Sequence, residues 1–524
     1  MSADTVAPAY GPPRRGTELL LTTFAVLIVV LAYAAVGLAL DDRVPPGTLG
    51  YGLGLGGLFL VAHLVVRFTA PHADPLILPC VALLNGLGLV MIRRLDFAAV
   101  ERATQLGRDV PSGEAPRQLV WTAVGVVAFL AVLLIVRDHT VLQRYTYTAA
   151  VSGLVLLLLP ALPVLGRTIN GARLWIRVGP FTLQPSELAK LLLILFFAGY
   201  LVAKRDVLSL ASRRVLGLDL PRARDLGPVL LAWAASLAVL VRGRDLGSSL
   251  LFFALFVVML YVATERTSWL VIGVGLFLGG AYVAYTLFGH VRRRVDIWLD
   301  PFEDADGAGF QLVQSLFGFG TGGLSGTGLG EGRPATVPFA STDFIMAAIG
   351  EELGLVGVMA VLLLFGLIVE RGLRAALSVR DSFGKLLAAG LSFSLALQVF
   401  VIVGGVTGLI PLTGVTLPWL SYGGSSIVAN WALVAVLLRI SDAARRPAPA
   451  PVTPDVARAV LASAETQVVR RPKGAGGDSP KGAAGDSPKG AGGDSPKGAG
   501  ADSPGGGRDG DEDDLRTTAV RRDG

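Results

Sequence analysis

Charge is scarce in this chain. Asp, Glu, Lys and Arg together make up 16% of 524 residues, against 52% hydrophobic. Soluble domains carry about a quarter charged residues, so a mean hydropathy of +0.61 excludes an ordinary soluble enzyme. Cysteine is nearly absent: Cys80 stands alone, which excludes an internal disulfide or a cysteine-built metal site. The four histidines are scattered. Lysine is confined to Lys190, Lys204 and Lys385 before the C-terminal tail, so the net charge of +6 comes mostly from arginine. That balance suits anionic lipid headgroups. No basic surface interleaved with aromatics points to nucleic acid, and no GK[ST] phosphate loop is present.

What is abundant is uninterrupted apolar sequence. Stretches of about 20 residues, each long enough to cross about 30 Å of hydrocarbon, recur along the chain. Twelve spans are expected, at 17–40, 48–68, 75–92, 117–136, 145–165, 186–203, 227–242, 247–264, 268–288, 344–369, 384–407 and 418–439. The first lacks a small-residue cleavage site and is read as a retained helix. The fold class is therefore an all-α polytopic membrane protein.

An even number of spans puts both termini on one side. The basic loop 204–224 and the loop 370–385 assign that side to the cytoplasm. Loops 166–185 and 289–343 then face outward. Residues 1–16 form a short cytoplasmic N-terminus. The tail 441–524 turns to Pro, Ala, Gly and Asp, with four copies of a KGAGGDSP-type octapeptide at 473–504. Such composition cannot bury a core, so a disordered cytoplasmic tether is expected.

Several polar stretches lie at span ends, where charge is costly unless it has a use. In "NGARLWIRVGPFTLQPSELAK", 170–190, Pro185 suits a helix start and places Glu187 and Lys190 one turn apart as an ion pair. Arg173 and Arg177 precede it. In "VRGRDLGSS", Asp245 adjoins Arg244, so a local pair explains it adequately. Seven glycines between 320 and 332 suit close-packed or mobile backbone over a cavity. "STDFIMAAIGEELG", 341–354, opens with three residues able to cap a helix. Glu351 follows Asp343 about 12 Å along and about 80° around, with Glu352 nearly opposite. In isolation Asp343 reads as a cap. "PLTGVTLPWLSYGGSS", 411–426, has irregular backbone chemistry that only protein or a water-filled cavity can cover.

These stretches, in this order, resemble the SEDS family (shape, elongation, division and sporulation) of RodA/FtsW-type proteins over residues 75–440. The resemblance implies a ten-helix core, here with two extra N-terminal helices at 17–74, and composition of an actinobacterial, RodA-like type. It implies polymerisation of lipid II into peptidoglycan strands at the outer face of the bacterial cytoplasmic membrane, beside a class B penicillin-binding protein that supplies the transpeptidase. It makes Asp343 the catalytic carboxylate. It assigns supporting or cavity-lining roles to Glu187, Lys190, Arg173, Arg177, Asp245, Gln311, Gln314, Glu351, Glu352, Ser421 and Ser425. Family members commonly carry His where this chain has Ser341.

On that reading Asp343 takes the acceptor hydroxyl proton, and arginines or a divalent cation, Mg or Mn, offset the departing pyrophosphate. No second carboxylate is placed as a nucleophile, so inversion at the anomeric carbon is expected. The alternatives are a flippase or transporter of a lipid-linked precursor, and a catalytically silent scaffold of the elongation or division machinery.

Overall fold

The computed structural model describes residues 15–169, 172–179, 181–205, 212–215, 218–221, 223–243 and 245–447. Outside the described residues lie 1–14, Asn170 and Gly171, part of the loop 204–224, Arg244, and the tail from 448 with its repeats.

Fourteen α-helices lie among the described residues: α1 Arg15–Asp41, α2 Thr48–Thr69, α3 Ile77–Gln105, α4 Glu114–Ile135, α5 Thr146–Leu158, α6 Pro185–Ala203, α7 Ala223–Arg242, α8 Leu246–Thr264, α9 Ser268–Leu287, α10 Gly289–Leu299, α11 Phe310–Gly322, α12 Ile345–Ser378, α13 Ser382–Val406 and α14 Gly424–Arg445. Twelve of them stand where spans are expected, and α10 and α11 are short additions in the loop between α9 and α12. Eleven segments are long and apolar enough to cross a membrane. The twelfth, α7, is that apolar only over Leu230–Val239.

Several helix ends differ from the sequence expectation: α5 stops at Leu158 and not 165, and α12 runs on to Ser378 and not 369. Helix α3 runs to Gln105, because the charged residues past 92 project beyond the apolar layer without breaking the helix. Helix α14 starts at Gly424, not at 418, because Pro418 and the turn after it keep 411–423 irregular. The fold is also not wholly helical. β1 Gly166–Ile169, β2 Ala172–Val178 and β3 Phe181–Leu183 form an antiparallel three-stranded sheet, with Gly179 at φ +61° in the β2–β3 turn. Trp175, Ile176 and Val178 are strand formers, which the expectation of a plain loop overlooked. β4 Ser212–Val215 and β5 Leu218–Pro221 form a hairpin on the other face.

Helix α3 is the most buried, and α6, α13 and α14 form the rest of the interior. The main pairings are α4 with α14, α12 with α13, α5 with α6, and α1 with α3. Inside, Asn85 donates to Thr122 at 3.2 Å and accepts from Trp431 at 3.2 Å, the kind of interhelical polar contact that joins helices in lipid. Alternate crossing brings 159–184, 288–344 and 407–423 to one face, where Gln184 N donates to Ser425 Oγ at 2.7 Å and Arg294 reaches Leu412 O at 2.9 Å. The other face is tied by His139 to Asp381 at 2.7 Å and by Asp74 to Arg445.

Helix α12 is broken. Gly354 has φ +65° and ψ −168°. Before it, Ile345–Glu352 is completely buried, whereas Leu355, Val356, Met359 and Leu363 after it are exposed. The 24 residues 355–378 span about 36 Å on their own, so the lipid-facing helix begins at the break. The Gly-rich loop fills the break: Thr327 N and Gly328 N donate to the carbonyls of Glu351 and Glu352 at 3.0 Å, and Leu355 N and Val356 N donate to Gly323 and Leu324 carbonyls at 2.9 and 3.1 Å. The loop satisfies backbone groups that a kink would otherwise orphan. It is close-packed backbone.

Candidate active site

Asp343 is no helix cap. Helix α12 starts at Ile345, and its N-cap is Phe344, with no capping side chain. Ser341 and Thr342 do not cap it either; Thr342 Oγ1 bonds Phe339 O at 3.3 Å. Instead the segment 339–344 is a turn, with Thr342 N and Phe344 N both donating to Phe339 O at 3.0 and 3.2 Å. The turn is held from outside by the segment 417–425. Ser421 Oγ donates to Thr342 O at 2.5 Å and accepts Leu417 N at 2.9 Å, while Tyr422 N donates to Ser341 O at 2.7 Å. Gln118 spans Ser421 O at 2.9 Å and Gly423 N at 3.2 Å. With its backbone so fixed, the Asp343 carboxylate is free to face the interior of the site.

There it meets Arg294 of α10. A Cβ built on Gly414 would stand 3.7 Å from Arg294 Nη2 and 3.8 Å from Asp343 Oδ2, so guanidinium and carboxylate flank the same glycine. Arg294 Nη1 is anchored on Leu412 O and Thr413 O at 2.9 and 3.0 Å. Burial pushes the Asp343 carboxyl up to about 6, against the opposing pull of Arg294. Burial likewise lowers the Arg294 guanidinium, which Asp245 and Asp343 hold up.

Asp245 lies on the other side of Arg294. Its Oδ1 caps α8, accepting Ser248 N at 2.9 Å, and its buried Oδ2 has no hydrogen-bond partner among the described residues. Burial raises this carboxyl, Glu187 adds to the rise, and Ser248 and Arg294 oppose it. The Glu187–Lys190 pair predicted from spacing is present at 3.1 Å, both residues buried. Lys190 Nζ also donates to Gln398 Oε1 at 2.7 Å, and Gln398 Nε2 donates to Thr416 O at 2.9 Å. A continuous polar path therefore runs from Glu187 to the segment that holds the Asp343 turn.

The other sequence-predicted residues sit elsewhere. Glu352 Oε1 accepts Arg94 Nε at 2.8 Å and its Oε2 accepts Gly330 N at 3.1 Å; Glu351 Oε1 accepts Arg333 N at 2.5 Å. Both clamp the Gly-rich loop onto the helix break. Gln311 and Gln314 lie half-buried on α11, which packs on α12. Arg173 Nη2 donates to Leu162 O at 3.0 Å and its Nε is buried without a hydrogen-bond partner among the described residues, beside a cavity of about 470 Å³ between α5, α6 and α7 that Ser186 and Gly243 also line. Arg177 is exposed and turned to Gly179 O. Neither arginine bonds the Asp343 cluster among the described residues. Ser425 holds the start of α6 through Gln184.

Sequence reading missed Arg294, Gln398, Arg94 and Gln118 as site residues. Gln398 and Arg94 lie in apolar runs, where the insertion cost of an amide or guanidinium was a usable signal. Arg294 had none, as one of three arginines in a row. Among the described residues no three His, Cys, Asp or Glu side chains converge as metal ligands.

A helical polytopic membrane protein with a half-buried acid and arginine on one face is the class that fold and site define. The chain belongs to the FtsW/RodA/SpoVE family, whose model, described as a cell cycle protein, matches residues 75–446. It is 55% identical over 437 residues to the peptidoglycan glycosyltransferase RodA of Mycobacterium tuberculosis, covering 83% of this chain and 92% of that one. It is 38% identical over 327 residues to a probable peptidoglycan glycosyltransferase FtsW of Geobacter metallireducens, covering 62% of this chain and 84% of that one. A solved rod shape determining protein RodA of Thermus thermophilus matches at 26% identity and a TM-score of 0.49, over 70% of this chain and 96% of that one.

Proposed function

We propose that the chain is a peptidoglycan glycosyltransferase that polymerises lipid II into glycan strands, with Asp343 as the base. The carrying observation is the half-buried carboxylate, raised to about 6, that flanks Gly414 together with Arg294. A base near the working pH is strong enough to accept a hydroxyl proton and still ionised enough to do so. As the acceptor oxygen attacks the donor anomeric carbon, Asp343 takes its proton and the pyrophosphate leaves with the bonding pair. Arg294, fixed by two backbone carbonyls, is placed to stabilise the negative charge that develops. Arg173, with an unpartnered Nε over an apolar cavity, suits the pyrophosphate of the polyprenyl carrier. Attack by the acceptor itself, with no covalent intermediate, inverts the anomeric carbon.

The site faces outward on this reading. Lys204, Arg205, Arg371, Arg374, Arg380 and Lys385 at the opposite helix ends support a cytoplasmic assignment for that face. Both termini then lie in the cytoplasm. Greater identity to mycobacterial RodA than to FtsW sequences supports a role in elongation. Cross-linking falls to a class B penicillin-binding protein bound beside it. The test is reconstitution with labelled lipid II, with and without the transpeptidase. Strands formed by the wild type and not by Asp343→Asn are expected; equal polymerisation by both overturns the base assignment, and lipid transfer between leaflets without strands overturns the enzyme.

A further inference from the structure

A second cleft lies on the far side of the Asp343 turn. It holds about 730 Å³ between the end of α3, the start of α4 and residues 335–341, and Ser341 lines it. Because α3 here runs past its apolar stretch, its charged end and the exposed residues 106–112 line the cleft.

Its charges are unequal in availability. Asp96 is used up, accepting Glu114 N and Ala115 N at 2.8 Å each. Glu114 contacts the Ser341 side chain. Arg117 is partly engaged by Ser112. Arg102 and Arg108, both exposed, have no ion pair among the described residues, and Asp109 is the one exposed carboxylate left to oppose them. Three arginines and three carboxylates line the cleft, and Arg102 and Arg108 are the guanidiniums left open to an anion, beside Asp109.

Its floor is apolar, and Phe339 stands in its wall 49% exposed at φ +58°. A bulky side chain in the left-handed region costs about 1–2 kcal/mol, and such strain persists where the surroundings over-determine it, often at binding sites. The same backbone turn thus holds Phe339 out on one side and Asp343 in on the other.

We propose that this cleft binds the glycan strand already polymerised, as a saccharide subsite adjoining the bond-forming one. A polymer whose reacting end is at Asp343 must cross the 339–343 turn to leave. Phe339 offers a flat apolar face to a sugar ring, and Arg102, Arg108 and Arg117 pair with carboxylates carried by the strand. Holding the strand there keeps it bound between additions, so the cleft sets strand length. The inference rests on the glycosyltransferase reading.

The test uses the full-length protein in nanodiscs with Arg102→Gln/Arg108→Gln and, separately, Phe339→Leu. The direct probe is a soluble, uncross-linked glycan tetrasaccharide carrying its peptides. The expected result is at least tenfold weaker tetrasaccharide binding in both variants, and product strands at least threefold shorter when compared at equal lipid II consumed. Unchanged binding and strand length overturn the subsite. So does weaker binding to phosphatidylglycerol vesicles with no change in strand length, which assigns the arginines to lipid. A wild type that binds the tetrasaccharide but forms no strands overturns the glycosyltransferase reading instead, leaving a glycan-binding cleft.

Discussion

Asp343 Oδ2 and Arg294 Nη2 flank the bare Cα of Gly414, 3.8 and 3.7 Å from where a Cβ would stand, the carboxylate from the turn before α12 and the guanidinium from α10. Their relation makes the state of the acid depend on the arginine.

The first prediction concerns pH. With its carboxyl at about 6, Asp343 loses competence as a base as pH falls through that value. The polymerisation rate at low substrate is expected to halve near pH 6 and not near 4. Arg294→Gln removes the charge that holds this carboxyl down, so the acidic limb moves to higher pH. Asp343→Asn lowers the rate by about 10²–10⁴-fold, the usual weight of a general base. An Arg294→Gln limb unmoved from wild type refutes the coupling.

Gly414 is at φ +73°. Gly414→Ala adds left-handed strain of about 1–2 kcal/mol and inserts a methyl between the two charges. A displacement of about 1 Å at such a site costs about 10²-fold in rate. Activity is expected to fall far more than thermal stability, as read by polymerisation assay beside a melting curve.

Lys190→Met leaves Glu187 buried without its cation, and breaking a buried pair costs about 3–5 kcal/mol. Glu187→Gln/Lys190→Met removes both charges and is expected to melt closer to wild type than Lys190→Met alone. Loss of activity persisting in the double variant marks the Gln398–Thr416 link as the path by which the pair supports the site; full recovery marks the pair as structural alone.

Gly354→Ala tests the helix break. Its Cβ would meet Gly326 N at 2.2 Å, and φ is +65°. Left-handed strain and overpacking together cost about 2–5 kcal/mol. Accelerated amide exchange across 323–332 is the expected signature, because that loop is paired to the break.

Much of the architecture was legible in order and type. Apolar runs of membrane-crossing length fix where helices must lie, because backbone polar groups in lipid have no other partner. Pro185 fixes the start of α6, and helical spacing alone pairs Glu187 with Lys190. The Asp343 role was not legible from spacing: three capping residues before an apolar run is an ordinary helix start, and the assignment came through family resemblance.

Tertiary structure decided the rest. It turned Asp343 away from capping by hanging its backbone on Ser421 and Tyr422, nearly eighty positions later in the chain. It broke α12 at Gly354 and used the Gly-rich loop to pair the loose ends, so that Glu351 and Glu352 hold a loop together. It selected Arg294 from three neighbouring arginines. Local sequence reports periodicity and length, which membrane solvation enforces one helix at a time. Which side chains face one another across the site depends on contacts between distant segments, and those are set only when the helices pack.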